Sequence, residues 1–456
     1  MIDVTVKHPS YYGFIEDTIA ARDCFAGERA VKARGTMYLP QLSGQTRDEY
    51  NAYKMRSTFY SIVGRTVTAL TGLAMNGDPQ INASPEMQKQ LFEPEFGVDL
   101  IEFRYKTLLE IQLVGRMGWL IDAPAGSRSL GVIPYISESV INWRLDKVGR
   151  PTMIMLMESQ IVESQQNPYK MEEILLYREL VLVNGVYTQN VYDSKSNLVN
   201  SIVPSFGGRT LDYIPFFMYN PFGQGWDIEK TPLIDLVNLN LSHYRTSADL
   251  EHGRHFCGLP TPVITGSEVA GNKLKIGGNK AWVLPEPGAD AKYLEFTGQG
   301  LQSLEKALAE KEAQLSSLSV NVIDRSTRGS ESPETMKMRY TSETASLALV
   351  VSSVQSCVTH VYGTIQKLYR WNDAFSIVFA KQFISGSLSA DEVKKYSETY
   401  LAGGLSVESY VSLLRRGGVL SAQLDDGTEI SALKKVADDK ANAAIEAANR
   451  KSPLTP

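Results

Sequence analysis

Residues 299–334 read QGLQSLEKALAEKEAQLSSLSVNVIDRSTRGSESPE, and the order of elements here decides how the rest of the chain is organised. Leu301, Leu304, Leu308, Leu315 and Leu318 recur at helical spacing, while Glu305, Lys306, Glu310 and Glu312 fall largely off that seam. This pattern predicts an amphipathic helix over 299–320, with one packed side and one solvated side. Residues 321–332 are small and polar and read as a loop. Ser332-Pro333-Glu334 then opens a second helix, since proline is tolerated in the first helical turn. Leu347, Val350, Val354, Val358, Val361, Ile365 and Leu368 carry its apolar face to Trp371. From Glu334 that helix would be about 57 Å long at 1.5 Å per residue.

Upstream of residue 299 lie four short β-rich runs: Val263-Ile264, Leu274-Lys275-Ile276, Trp282-Val283-Leu284 and Tyr293-Leu294-Glu295-Phe296. Gly277-Gly278-Asn279 supplies a tight turn between two of them. Before these strands, Thr231-Pro232 predicts a helix start, and Leu233, Val237, Leu241, Tyr244 and Ala248 mark one face as far as about Phe256. Residues 80–220 read as a mixed lobe. It holds a helix from Asp99 to Leu113 and strands at Trp119–Ile121, Ile133–Ile136, Met153–Met157, Ile174–Tyr177 and Leu180–Val183. Thr46 and Glu49 form a capping box. The spacing of Tyr60, Val63, Val67, Leu70 and Ala74 predicts one helix over 47–75, about 43 Å long. A strand at Ile377–Phe379, helices at 390–402, 406–415 and 428–449, and a disordered tail from Lys451 to Pro456 complete a helix-rich α+β chain.

The chain has 456 residues, 43% hydrophobic and 21% charged, with a formal net charge of -5. This charge disfavours tight, sequence-specific DNA binding, which calls for a basic face. It is compatible with DNA sliding past, where strong phosphate contacts would act as a brake. Cys24, Cys257 and Cys357 are too few and too scattered for a disulfide framework. Met1–Pro9 lacks an apolar core, and Ile62–Met75, read as the longest apolar candidate, is short and interrupted by Arg65. A soluble, cytosolic chain is expected.

Catalytic chemistry finds little support. His252, His255 and Cys257 are close in sequence, with His243 upstream, but the set lacks a well-spaced fourth zinc ligand. Cys357 and His360 share i, i+3 spacing, and there ordinary polar contacts outweigh metal binding more strongly still. Gly266–Lys273 has P-loop glycine spacing, but Asn272 precedes the lysine, Leu274 follows it, and no helix succeeds it. No G-x-S-x-G, H-E-x-x-H or G-x-G-x-x-G motif occurs. The expectation is no enzyme, no cofactor and no metal.

The element order resembles that of the portal proteins of tailed bacteriophages. Local blocks also look like a subgroup assigned to that family. They include Gly27–Lys32, Tyr38-Leu39-Pro40, Tyr50–Arg56, Gly64-Arg65-Thr66, Ile141–Arg144, His243–Asp249 and Pro260–Gly266. The resemblance implies a portal-like architecture. A wing would comprise 1–225 and 334–404, the latter containing the long helix. Stem helices would occupy 226–257 and 298–320, joined by a β clip at 258–297. A tunnel loop would span 321–333, and a short helical crown and tail 405–456. The family forms rings of about twelve copies at one capsid vertex, closed and heterologous, so each subunit needs two different faces. The implied partners are the chain itself, the terminase large subunit, the major capsid and scaffolding proteins, a head-completion or tail adaptor, and double-stranded DNA passing non-specifically, with no membrane. Assembly is expected in the bacterial cytoplasm and the final location at the virion's portal vertex. Glu305, Glu310 and Glu312 become candidates to line the channel, the bland alternative being an ordinary mixed-charge helix face. Arg325 and Arg328 could touch passing phosphates, or belong to a plain surface loop. Trp282 and Tyr293 could anchor partners at the clip, or simply fill its small core. Another phage virion component, capsid-associated or an adaptor, is the alternative reading.

Overall fold

The computed structural model describes residues 3–124, 127, 129–164, 167–258, 261–265, 287–294, 299–319, 333–381, 383, 390–416, 419–420, 427–436 and 439. The fold is α+β and rich in helix. The chain divides into two compact units, Met1–Lys381 and Gln382–Pro456.

In the first unit, helices α1 (Ile15–Ala26), α2 (Glu28–Ala33), α3 (Arg47–Arg56) and α4 (Ile62–Met75) precede a short strand β1 (Gln80–Asn82). Helices α5 (Pro85–Phe92) and α6 (Leu100–Leu113) follow. Then come β2 (Met117–Asp122), β3 (Gly131–Ile136), β4 (Val140–Leu145), β5 (Pro151–Ser164), β6 (Asn167–Val183), β7 (Val186–Asp193) and β8 (Leu198–Ile202). The short strands β9 (Ser205–Phe206) and β10 (Arg209–Thr210) lead into β11 (Phe216–Asn220) and β12 (Gly223–Gln224). Helix α7 (Ile234–Gly258), strands β13 (Thr261–Thr265) and β14 (Asp290–Leu294), helix α8 (Gln299–Leu318), helix α9 (Pro333–Tyr369) and strand β15 (Ser376–Val378) complete the unit. The second unit contains α10 (Ala390–Leu401), α11 (Val407–Arg416) and helical residues 427–436. Residues 440–456 lie outside the described residues, as do the runs 274–276 and 282–284 and the glycine-spaced stretch 266–273.

Two antiparallel sheets form the β part. One has the order β12-β11-β2-β3 and the other β4-β5-β6-β7-β8, while β1 pairs with β15 across the chain. Helix α9 covers the first sheet together with α6. Phe103 of α6 stacks on Trp119 of β2 at 3.9 Å, and Tyr362 of α9 lies 5.9 Å from Phe103. Ser353 of α9 donates to the Asn220 carbonyl of β11 at 2.6 Å, and Gln355 accepts from Phe379 N–H at 3.0 Å. Residues 345–369 are long and apolar enough to cross a membrane. In this fold their apolar side, with Val354, Val358, Val361 and Ile365, is buried in the core. Among the described residues this segment, not Ile62–Met75, is therefore the longest apolar stretch. Its seam runs through the fully buried Val351 rather than the partly exposed Val350.

Local signals set many of the helix starts. The Thr46–Glu49 capping box forms, with Glu49 N–H to Thr46 Oγ1 at 3.3 Å and Thr46 N–H to Glu49 Oε2 at 2.7 Å. Asp99 caps α6 through Glu102 N–H at 2.8 Å. Helix α7 begins two residues later than the Thr231-Pro232 signal suggests. Pro232 and Leu233 form a turn in which Ile234 N–H donates to the Thr231 carbonyl at 3.1 Å.

The single helix expected over 47–75 is broken at 57–61. Ser57 is extended (φ -59°, ψ 148°), and its buried hydroxyl bonds the Lys54 carbonyl at 2.6 Å and the Tyr244 hydroxyl at 3.3 Å. The break lets Phe59 pack edge-on to Tyr244 at 5.9 Å and offers the Tyr60 carbonyl to Asn240 Nδ2 at 2.8 Å. These tertiary contacts outweigh the helical periodicity, as propensity is a weak prior.

Glycine is required where the segment before α6 crosses β3. Gly97 has φ +85°, and a Cβ there would lie 2.5 Å from Val132 N. A Cβ on Gly131 would run into the Phe96 carbonyl, and Val98 N–H meets the Val132 carbonyl at 3.1 Å. Backbone cannot yield as a flexible side chain can. Gly131→Ala should therefore cost about 2 kcal/mol or more. Gly149→Ala, at a turn with φ +81° and open space around it, should cost only about 1 kcal/mol. Equilibrium urea unfolding of the two variants compares these values directly.

Candidate functional site

Helix α7 begins inside the core of the first unit. Its residues Ile234, Leu236, Val237, Leu241, Tyr244 and Ala248 are buried against α1, α3 and α4, while Asp235, Asn238 and Arg245 stay exposed on the opposite side. Exposure rises from Glu251 onward, where the helix leaves the core. At 1.5 Å per residue α7 is about 37 Å long and α8 about 30 Å.

Helix α8 returns antiparallel along α7. Near the outer end, Gly253 lets Leu301 pack directly on the α7 backbone, where any Cβ would overlap its side chain. One turn inward, Arg254 Nη2 pairs with Glu305 Oε1 at 2.9 Å. Further in, Lys311 Nζ donates to the Ser242 carbonyl at 3.3 Å and to the Thr246 hydroxyl. Glu312 Oε1 then lies 3.4 Å from His243 Nε2. At the foot, Leu315 is 1% exposed and joins the same core as α7. Beyond the outer end the pairing passes into strands. Thr261 of β13 faces Leu294 of β14, and Thr265 faces Asp290. Helix pair and ribbon thus form one antiparallel hairpin with a β tip.

The electrostatics follow from exposure. The bond to Glu305 raises the already high pKa of Arg254. Partial burial, with Arg245 nearby, lowers that of Lys311. Desolvation, with Arg56 nearby, keeps His252 below its ordinary value. His252 packs edge-on to Tyr53 at 5.1 Å and to Phe256 at 4.7 Å, so it is part of an aromatic contact. Cys357 is fully buried, which pushes its thiol well up, and His360 faces Phe217 at 4.8 Å and the Tyr219 hydroxyl at 3.2 Å. No cluster of three or more metal-ligating side chains occurs among the described residues.

Of the residues singled out by sequence, Glu305, Glu310 and Glu312 all stand exposed on α8, each with a cation or imidazole nearby. Glu310 is the most loosely held, 3.9 Å from Lys306. Leu318 departs from the expected seam: it is 51% exposed, because the packed stripe ends at Leu315. Tyr293 occupies β14 opposite Pro262, and its side chain lies outside the described part. Trp282, Arg325 and Arg328 lie outside the described residues. Lys311 was not singled out by the pattern. Its signal is position, since it falls on the leucine seam between Leu308 and Leu315.

The hairpin's hold on the core should rest on apolar contact. Leu315→Ala should cost about 3 kcal/mol. Glu305→Ala, which breaks a solvent-exposed pair, should cost no more than about 0.5 kcal/mol. Chemical denaturation of both variants measures the contrast.

Residues 232–367, from the turn before α7 through most of α9, match the domain of unknown function DUF4055. No curated protein matches the chain in sequence. Among solved structures, the chain is similar to one in "Virion of native gene transfer agent (GTA) particle", at 12% identity and a TM-score of 0.43, over 85% of this chain and 98% of that chain. It is similar to another in "Neck of empty GTA particle computed with C6 symmetry", at 12% identity and a TM-score of 0.41, with the same coverage. A third lies in "Neck of native GTA particle computed with C12 symmetry", at 13% identity and a TM-score of 0.39, again over 85% and 98%.

Proposed function

We propose that this chain is a structural protein of a phage-type virion and, specifically, its portal: a ring at one capsid vertex through which DNA enters and leaves. The observation that carries the reading is the hairpin of α7 and α8, which projects from the core and ends in the β13–β14 ribbon. That is the element order expected of a stem bearing a clip. In this reading 1–225 and 334–404 form the wing, 226–257 and 298–320 the stem, and 258–297 the clip. Residues 321–333 form the tunnel loop and 405–456 the crown. The outer face of α8 would meet a neighbouring copy or the channel, with Glu310 on that face and Glu305 and Glu312 flanking the seam with α7, all three repelling phosphates. Arg325 and Arg328 would make weak, transient phosphate contacts, and Trp282 and Tyr293 would anchor the terminase or a head-completion adaptor. The chain performs no catalysis; the motor would be a separate protein.

Negative-stain microscopy of the purified chain should show rings of about twelve copies with a central hole. A compact particle without a hole, at any concentration or with scaffold added, would favour another virion component. With rings in hand, Arg325→Ala with Arg328→Ala should lower DNA packaging at least tenfold while leaving ring assembly intact. Unchanged packaging would remove the loop from the mechanism.

A further inference from the structure

The longest hairpin of the second sheet extends beyond its neighbours. Strand β4 pairs with β5 only over Pro151–Leu156, and β7 pairs with β6 only over Leu176–Val183. Residues 159–164 and 167–175 therefore pair with each other alone. They form a free ribbon about 20 Å long at 3.3 Å per residue. An isolated two-stranded ribbon is marginal in water and lasts when something packs on it. This one is apolar where it is free: Tyr169 is 95% exposed, Ile161 68% and Met171 58%. Ile161, Glu163, Met171, Glu173 and Leu175 share one face, because cross-strand partners point the same way. Between residues 159 and 175 stand Glu163, Glu172 and Glu173 against Lys170 alone, so the arm is both apolar and acidic.

At the opposite end of β5 lies a groove of about 570 Å³ between β4 and the chain around Trp226. His8, Trp143, Leu145, Trp226 and Ile228 give it aromatic and apolar walls, with His8 stacked on Trp143 at 4.1 Å. Its charge is basic. Arg144 lines it, and Lys147 and Arg150 stand exposed on the adjoining turn. Against these three cations stand two carboxylates, Asp146, which stays charged while accepting Val148 N–H and Arg150 N–H at 2.8 Å each, and Asp227 on the wall. Behind Trp143 the guanidinium of Arg116 sits 5.1 Å from the ring and is 3% exposed. None of its three nitrogens has a hydrogen-bond partner among the described residues. A buried positive charge, held against ring faces, therefore backs the aromatic wall.

We propose that the 159–175 arm of one copy seats in the His8–Trp143–Trp226 groove of a second copy of this chain. The occupant follows from charge and reach. An acidic, apolar arm complements a basic, aromatic groove. The same molecule cannot supply both, since the groove opens near residues 144–152 and the arm's tip lies about 40 Å away along β5. Arm and groove are different surfaces, so the contact suits the head-to-tail repeat of a ring; exchanged reciprocally between two copies, it would instead close as a dimer. The inference rests on the self-assembly reading above and adds where copies would touch within the sheet lobe.

The test is charge exchange in the full-length chain, read by native mass spectrometry and sedimentation. Glu163→Lys with Glu173→Lys should weaken assembly about tenfold or more, and so should Arg144→Glu with Lys147→Glu. Combining all four should restore assembly to within about threefold of the unmodified chain. Tyr169→Ala should weaken assembly without altering the far-ultraviolet circular dichroism, since its side chain has no packing role within one chain. Rings that form normally in both charge-reversed variants overturn this contact and leave the ring reading standing. A folded four-residue variant that stays dissociated also overturns the contact. An unmodified chain that never assembles overturns both.

Discussion

Burial of α7 in the core of α1, α3 and α4 is the constraint on which the outer half of this protein depends. A helix leaving a domain needs most of its length held, because a short isolated helix is marginal in water. The held part here runs from Ile234 to Leu250, with ten residues buried. It includes polar groups that bond the surrounding chain, such as Asn240, whose Nδ2 donates to the Tyr60 carbonyl while its Oδ1 has no partner among the described residues. Helix α8 is then secured at its foot by Leu315 and along its length by Leu301, Leu304 and Leu308 against α7. The ion pairs beside this seam are too exposed to carry the attachment. They set which charges the hairpin shows, while the leucines set where it stands.

The elements that were legible in the sequence are those whose signals are local. Capping at Thr46 and Asp99, and the leucine seam of α8, rest on contacts within a few residues. What escaped depended on distant partners. The break at 57–61 exists because Tyr244 and Asn240, nearly two hundred residues on, compete for that backbone. Strands β5 and β6 run far beyond the expected short runs because a ribbon needs only its own cross-strand bonds, which periodicity does not reveal. Helix α1 was missed since it is buried on several sides and has almost no amphipathic pattern. Of the candidate site, the hairpin was readable, whereas the inward turn of Lys311 and Glu312 toward α7 was not. A charged residue on a seam looks the same in sequence whether it points out or bends back.

Buried charge was the least legible feature, because arginine and glutamate read as surface. Arg22 of α1 bonds Glu110 of α6 at 2.7 Å and Glu138 beside β4, tying a helical layer to the sheet lobe. Arg178 of β6 bonds Asp122 of β2 at 3.1 Å and Glu158 of β5 at 2.9 Å, tying the two sheets together. In each cluster two carboxylates surround one guanidinium. Desolvation of these groups is costly, so their worth lies in orientation more than in net stability. Removal of either arginine would leave two carboxylates facing each other in a poorly hydrated space.

Arg116 departs from that pattern in an informative way. It sits between Phe14 at 5.4 Å and Trp143 at 5.1 Å, with ring faces in place of carboxylates. Burial pulls its pKa down to about 10, still far above neutrality, so it stays charged. Cation–π contact offsets part of the desolvation cost but does not cancel the charge. Part of that positive charge is therefore felt outside the wall that Trp143 forms. Solvent can screen it in a single copy. In an assembly, the acidic ribbon of a neighbour would balance it better, because the groove excludes the water that otherwise screens the charge. The same buried arginine that gains little within one chain would thus favour the chain in company with another.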